Sequence, residues 1–309
     1  MSALRLGTRA SRLALAQSGD VAARLEATLG VPVELVPVST VGDLSSAPLT
    51  EIGGSGVFVG AVRQALVEGS VDIAVHSLKD LPTIPDARVV VAAVPQREDP
   101  RDALVARDGL TLGELPAGSV VGTGSPRRAA QLRALGLGLE VVAIRGNVDT
   151  RIRMVAERIV DAVVVARAGL LRLGADEHAT EVLDPLQMLP APGQGALAVE
   201  VAVARGSLHD DVRAVLDDPE TRSAVTAERS LLRALEAGCT APVGALADVA
   251  EGDDGLELWL RAVVAAVDGS TLVRLSAAGP AARAETLGLR LAADLISEGA
   301  ASIVREPVP

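Results

Sequence analysis

Lysine is almost missing from this sequence: Lys79 is the only one, and every other basic side chain of the 29 is an arginine. Aromatic residues are equally scarce, with Phe58, Trp259 and no tyrosine. A compositional taste for Ala, Val, Gly and Arg accounts for both shortages, so neither is assigned a function. A lysine retained against such a bias is nevertheless informative. Cys239 stands alone, which excludes an internal disulfide framework and fits a reducing compartment. The net charge of −11 argues against a nucleic-acid binder, which would need a basic face. Charges interrupt every apolar stretch well before the ~18 residues of a membrane span. Met1 to Gly7 lacks the basic, apolar and small-residue succession of a signal peptide. The expectation is a cytoplasmic protein with neither nucleic acid nor membrane as partner. His76, His178 and His209 are scattered, and no Cys/His spacing matches zinc or iron, so no metal site is expected.

What is present is a chain of 309 residues, 49% hydrophobic, enough for two or three domains with sizeable cores. Its first half alternates short β-branched runs with helical patterns, which predicts a parallel α/β layer fold. Strands are predicted at Leu4 to Leu6, Val33 to Val38, Val71 to His76 and Val89 to Val94, with helices at Ser11 to Leu29 and Val57 to Glu68. Pro95 to Asp102 (PQREDPRD) is charged and proline-marked like a hinge. A second α/β unit begins near Ala103, with strands ending at Val121, Ile144 and Ala166. Pro190 to Gly195 (PAPGQG) forms a second crossing, and the strand from Ala196 to Val203 is placed to return to the first unit. From Pro219 the pattern becomes α+β. A helix from Glu220 to Ala237 stops at Gly238, a hairpin turns at Asp268-Gly269, and a last helix runs from Ala281 to Glu298. The domain expectation is 1–95 with 196–214, then 101–190, then 218–309.

Basic residues recur at strand-to-helix turns, where open α/β sheets bind ligands. Arg9 and Ser11 follow the first strand. Ser125, Arg127 and Arg128 lie in VGTGSPRRAAQLRAL, with Ser125 as N-cap and Pro126 at the first helical position. That arrangement aims backbone N–H groups and two guanidinium groups at one point. Arg145 and Arg151 lie in IRGNVDTRI, and Arg172 in AGLLRLG. Helix N-termini favour anions and arginine forks bind carboxylates, so the set implies a ligand with several carboxylates or phosphates. Pairing with neighbouring Asp and Glu is the competing account of any single one. Neither GxxxxGK[ST] nor GxGxxG occurs, which argues against a nucleotide. Gly53-Gly54-Ser55-Gly56 reads as a loop before a helix, and Phe58 as a core residue or a ring-stacking one.

In His76-Ser77-Leu78-Lys79-Asp80 a carboxylate at the end of a buried strand is suited to acid–base work; a structural Lys79–Asp80 ion pair is the plainer account. Cys239 follows a helix C-terminus, which disfavours a thiolate, and a lone cysteine is usually an inert apolar residue.

Together, LRLGTRASRLAL, VDIAVHSLKDLP, QREDPRDALV, VGTGSPRRAAQL, IRGNVDTRI, AGLLRLG, PAPGQGALAVE, TAERSLLRALEAGC and APVGA resemble, in order and over nearly the whole chain, the porphobilinogen deaminase (hydroxymethylbilane synthase) family. The resemblance implies two α/β domains forming a cleft like that of periplasmic binding proteins, plus a small α+β C-terminal domain. It implies a monomeric transferase that joins four porphobilinogens head to tail with loss of ammonia, on a dipyrromethane cofactor held by a thioether at Cys239. It makes Asp80 the catalytic aspartate. Arg9, Ser11, Lys79, Ser125, Arg127, Arg128, Arg145, Arg151 and Arg172 become holders of cofactor or substrate carboxylates, Gln194 a cleft residue, and Phe58 an aromatic of the active-site loop. Where bacterial relatives commonly carry lysines near that loop, this chain has Glu51, Ser55 and Gly60. A non-catalytic polycarboxylate-binding protein of the periplasmic type is the alternative on architecture alone.

Overall fold

The structure is a computed structural model and describes residues 3–39, 59–237, 241–252 and 255–305. Its first elements are β1 (Leu4–Arg9), α1 (Arg12–Leu29), β2 (Val33–Val38), α2 (Gly60–Val67), β3 (Ile73–Ser77) and β4 (Val89–Ala93). Then come β5 (Asp102–Ala106), β6 (Val120–Thr123), α3 (Pro126–Ala134), β7 (Glu140–Ala143), α4 (Val148–Ala156), β8 (Ala162–Ala166), α5 (Arg167–Leu173) and β9 (Glu181–Val182). The remainder comprises β10 (Leu197–Ala202), α6 (Gly206–Leu216), α7 (Pro219–Ala234), β11 (Val243–Gly252), β12 (Gly255–Ala265), β13 (Leu272–Pro280), α8 (Ala284–Ser297) and α9 (Ala300–Arg305). Contacts divide the chain into two units, Met1–Glu98 with Ala196–Arg222, and Asp99–Gly195 with Ser223–Pro309.

The first unit is a five-stranded sheet in the order β2-β1-β3-β10-β4. Strands β1, β2 and β3 run parallel, and β10 enters antiparallel between β3 and β4. Helix α1 starts at Ser11, whose side chain accepts the Ala14 N–H, and stops at Gly30 in the left-handed conformation; both are the residues favoured at those ends. Its Val21, Ala22 and Leu25 pack with Leu6, Ile73, Val199 and Val212, each large apolar side chain contributing about 1.5–3 kcal/mol by burial.

The second unit repeats that strand logic as β7-β6-β8-β5-β9: β6 is parallel to β7 and β8, and β5 lies antiparallel between β8 and β9. The shared topology is the pair of periplasmic-binding-protein-like α/β folds that the resemblance implies. The same unit carries an antiparallel sheet, β11-β12-β13, covered by α7 and α8 around Leu231, Leu258, Leu260, Leu291 and Leu295. This is the smaller α+β region. It is fastened to the α/β sheet at two places. Leu189 packs on Leu246 and Val263, and the β12–β13 turn closes on the end of α3. There Arg133 donates to Val267 O at 2.7 Å, and a Cβ on Gly269 would stand 2.7 Å from Ala134 N, so only glycine permits the approach.

Candidate active site

In the first unit the C-terminal ends of β1 and β3 are neighbours because the strands run parallel, with Leu6 opposite Ile73 and Gly7 opposite Ala74. Arg9 and Ser11 leave one end, and Lys79 and Asp80 the other. The 3-10 turn Leu78–Asp80 is held by its apolar members: Leu78 and Leu81 are 2% and 1% exposed, and Leu78 N–H donates to Ala196 O at 3.0 Å. Lys79 and Asp80 are thereby left half-exposed at the sheet edge. Ser77 Oγ donates to Gln17 Oε1 at 3.3 Å, and Ser18 Oγ to Thr8 Oγ1 at 2.7 Å, which ties both strand ends to α1.

Where β10 pairs with β3 the same sheet carries a group of charges not singled out in the sequence. Glu200, at the centre of β10 and 1% exposed, accepts a two-pronged hydrogen bond from Arg63 at 2.6 and 2.8 Å and lies 3.3 Å from His76 Nε2. Burial alone would raise its pKa; the hydrogen bonds and charges of Arg63 and His76 overcome that and hold it at about 2, against an ordinary 4.5. The signal was faint, one acidic residue inside the apolar run AVEVA.

In the second unit, β6, β7 and β8 deliver the arginines to one sheet edge. Ser125 caps α3 by accepting the Arg128 N–H, with Pro126 following, as expected. The two guanidinium groups after it do converge, but on a carboxylate of the protein itself. Asp102, 0% exposed, lies 2.8 Å from Arg127 Nη2 and 2.7 Å from Arg128 Nη2. Arg127 Nη1 donates to Leu189 O at 2.5 Å, and Arg128 Nη1 to Val164 O at 3.0 Å. Gln194 is 1% exposed and donates to Asp102 Oδ1 at 2.8 Å and Pro100 O at 2.7 Å. Gly193 and Gly195 on either side of it have φ of 75° and 87°, which L side chains rarely adopt. Arg172 donates to Gly195 O at 2.7 Å, joining the same loop. Burial works against ionisation of Asp102, but the charges of Arg127 and Arg128, with hydrogen bonds from Arg128 and Gln194, hold its pKa at about 2. The charged stretch read as a hinge thus also supplies the counter-ion.

Arg145 and Arg151 are placed differently. Asn147 caps α4 through the Thr150 N–H at 2.9 Å, and Arg151 Nε donates to Gly146 O at 3.0 Å. Among the described residues neither arginine has a carboxylate within ion-pair distance. Arg145 Nη2 is buried with no hydrogen-bond partner. The Arg151 pKa is depressed to about 10, first by burial and then by the charges of Arg128 and Arg145. A guanidinium nitrogen buried without a hydrogen bond, and cations crowded together, are costly, and an incoming carboxylate removes the cost. The donor set therefore fits a ligand carrying several carboxylates. Cys239, Phe58 and Gly53–Gly56 lie outside the described residues, and no group of metal-ligating side chains occurs among those described. Among the described residues no helix is long and apolar enough to cross a membrane.

Two outcomes follow from these charges. Glu200 and Asp102 have folded pKa values near 2, below the ordinary 4.5 and 3.8. Their contribution, on the order of 2–3 kcal/mol each, is complete above the unfolded values and lost as the pH falls through the folded ones. Stability measured by urea melts is expected to drop between about pH 5 and pH 2, and less steeply in Glu200→Gln; an identical slope in that variant would refute the assignment. Arg151→Leu removes a partly buried cation crowded by Arg128 and Arg145, so the ligand-free chain should gain on the order of 1 kcal/mol while polycarboxylate binding weakens. A lowered melting temperature would count against it.

Comparison with known proteins defines the class. Residues 4–210 match "Porphobilinogen deaminase, dipyromethane cofactor binding domain" and residues 223–297 match "Porphobilinogen deaminase, C-terminal domain". The porphobilinogen deaminase of Nocardia farcinica (strain IFM 10152) is 58% identical over 98% of this chain and 88% of its own. That of Mycobacterium avium (strain 104) is 58% identical over 97% and 96%, and that of Mycobacterium tuberculosis (strain ATCC 25177 / H37Ra) is 58% identical over 97% and 98%. The immunogenic lipoprotein A of Vibrio vulnificus aligns with a TM-score of 0.45 and 11% identity over 71% of this chain and 97% of its own; so distant a likeness carries no argument, and the fold rests on the strand order above. Site and matches together define a transferase of tetrapyrrole biosynthesis. The chain belongs to the porphobilinogen deaminase family.

Proposed function

We propose that this chain, acting in the cytoplasm as a monomer with its dipyrromethane cofactor joined to Cys239 through a thioether, condenses four porphobilinogens head to tail with loss of four molecules of ammonia, and that water then cleaves the product off as linear hydroxymethylbilane. The observation that carries the reading is the pair Arg145 and Arg151, partly buried cations with no carboxylate among the described residues within ion-pair distance. Every pyrrole of substrate and product bears an acetate and a propionate, which supply what those arginines lack. When bound, the cofactor supplies a terminal pyrrole carbon from which the chain grows.

Arg145, Arg151, Arg127, Arg128 and Arg172 hold carboxylates of cofactor and substrate, with Ser125 adding a hydroxyl at the head of α3. Arg9, Ser11 and Lys79 do the same from the edge of the first sheet. Asp80 accepts the pyrrole N–H of porphobilinogen. As the C–N bond of the aminomethyl group breaks and ammonia leaves, positive charge spreads over that ring, and the aspartate stabilises it. Electrostatic stabilisation of developing charge is commonly the largest single contribution to catalysis. The thiol of Cys239 reacts once to form the tether, so it needs no activation for repeated turnover.

Intact mass tests the reading. Wild-type chain is expected to exceed its sequence mass by two pyrrole units and to colour with Ehrlich's reagent after acid treatment, and Cys239→Ser to show neither. A wild-type chain at its bare sequence mass, with no turnover of porphobilinogen, would sink it.

A further inference from the structure

We propose that Asp102 is a positioning residue of the anion site, whose buried carboxylate sets both the direction of Arg127 and Arg128 and the net charge that a bound polycarboxylate meets. The inference rests on the reading that the arginines of the second unit hold carboxylates. Two guanidinium groups share this one acid, at 2.8 and 2.7 Å. Arg151 feels the charges of Arg128 and Arg145, so Arg127, Arg128, Arg145 and Arg151 act as one electrostatic group. Four guanidinium charges less one carboxylate leave an excess of three.

Asp102 is itself held in place by Gln194. Gln194 donates to its Oδ1 at 2.8 Å, and the loop carrying Gln194 is pinned by a second buried acid, Glu228 on α7. Glu228, 0% exposed, accepts the Gly193 N–H at 2.6 Å and the Ala247 N–H at 2.9 Å. The direction of the two arginines is therefore passed from the α+β region through the Gly193–Gly195 loop to Asp102. Cancelling one charge of four matters for a site whose ligand lengthens and must leave. A stronger cationic field would hold polycarboxylates more tightly and release them more slowly.

Citrate is the probe, titrated calorimetrically into the full chain carrying Cys239→Ser throughout, so that no tethered group competes; thermal melts confirm that each variant is folded. Asp102→Asn keeps the shape of the side chain and removes its charge. A unit charge a few ångströms away in a partly screened interior alters binding by about tenfold, so the citrate Kd is expected to fall about tenfold, although the melting temperature falls too. Arg127→Gln should raise the Kd, and the double variant should return towards the unsubstituted value, because the charge count is restored. A residue that merely supports the fold would weaken binding in all three. An Asp102→Asn Kd equal to or above the parent's overturns the proposal. If that variant cannot be isolated folded, the double variant decides: recovery relative to Arg127→Gln supports it, and none overturns it. Porphobilinogen turnover and cofactor mass play no part in these titrations, so failure of the proposed function would show separately, in the mass and turnover of the unaltered chain.

Discussion

Asp80→Ala is expected to fold with an unchanged melting temperature, to carry its two-pyrrole mass excess, and to turn porphobilinogen over about 10²–10³ times more slowly. Stability should be spared because the turn bearing Asp80 is fixed by Leu78, Leu81 and the Leu78 N–H···O Ala196 bond. None of these involves the carboxylate. The catalytic loss should be large because, in the proposed role, Asp80 offsets a charge that exists only once the C–N bond is breaking, which favours the transition state over the bound substrate. Stopped-time assays with melting curves measure both quantities. Near-normal kcat would remove Asp80 from the mechanism, and loss of folding would make it a structural residue.

Arg127→Leu and Arg145→Leu should separate two arginines that look alike in sequence. Arg127 is 3% exposed, paired with Asp102 and bonded to Leu189 O. Its loss breaks a buried ion pair and leaves the buried Asp102 carboxylate short of one of its two cations, a cost on the order of 3–5 kcal/mol. The variant should melt well below wild type and be recovered with incomplete cofactor mass. Arg145 has a buried Nη2 with nothing to bond, so Arg145→Leu should melt near the wild-type temperature yet show a raised KM for porphobilinogen. Equal melting temperatures for the two variants would contradict the difference between an arginine that the protein itself ties to Asp102 and Leu189 O and one whose Nη2 has no protein partner.

Much of this was legible beforehand, for identifiable reasons. Ser125-Pro126 announces a helix start by hydrogen bonding and fixed φ, and Val33–Val38 by its β-branched run; both elements lie where expected. The hairpin turn at Asp268-Gly269 was equally plain. Strand β11 and helix α6 were not assigned. The former becomes a strand by pairing with β12 over its whole length, a tertiary partner that local propensity does not reveal. At the site, arginines could be found by their position after strands. What each one faces could not, because Asp102 lies 25 residues before Arg127 in the chain and reaches it only through the antiparallel pairing of β5 with β8. Glu200 escaped notice for the same reason. A single acid in an apolar strand gives no local hint that Arg63 and His76 are folded against it.

The placement of β10 governs the order in which the chain can assemble. It is the fourth strand of the first sheet, between β3 and β4, yet it is made of Leu197–Ala202. Until the ribosome has passed that point, β3 and β4 each lack the neighbour that satisfies their backbone groups, and β4 has no strand to join it to the sheet that bears Asp80. Strands β5 to β9 are contiguous in sequence, from Asp102 to Val182, and need no later residue to complete their hydrogen bonding. At synthesis rates of about 5–20 residues per second, the arginine-bearing sheet is therefore free to close first. The amino-terminal sheet, begun earlier, is finished by a strand that arrives from beyond it.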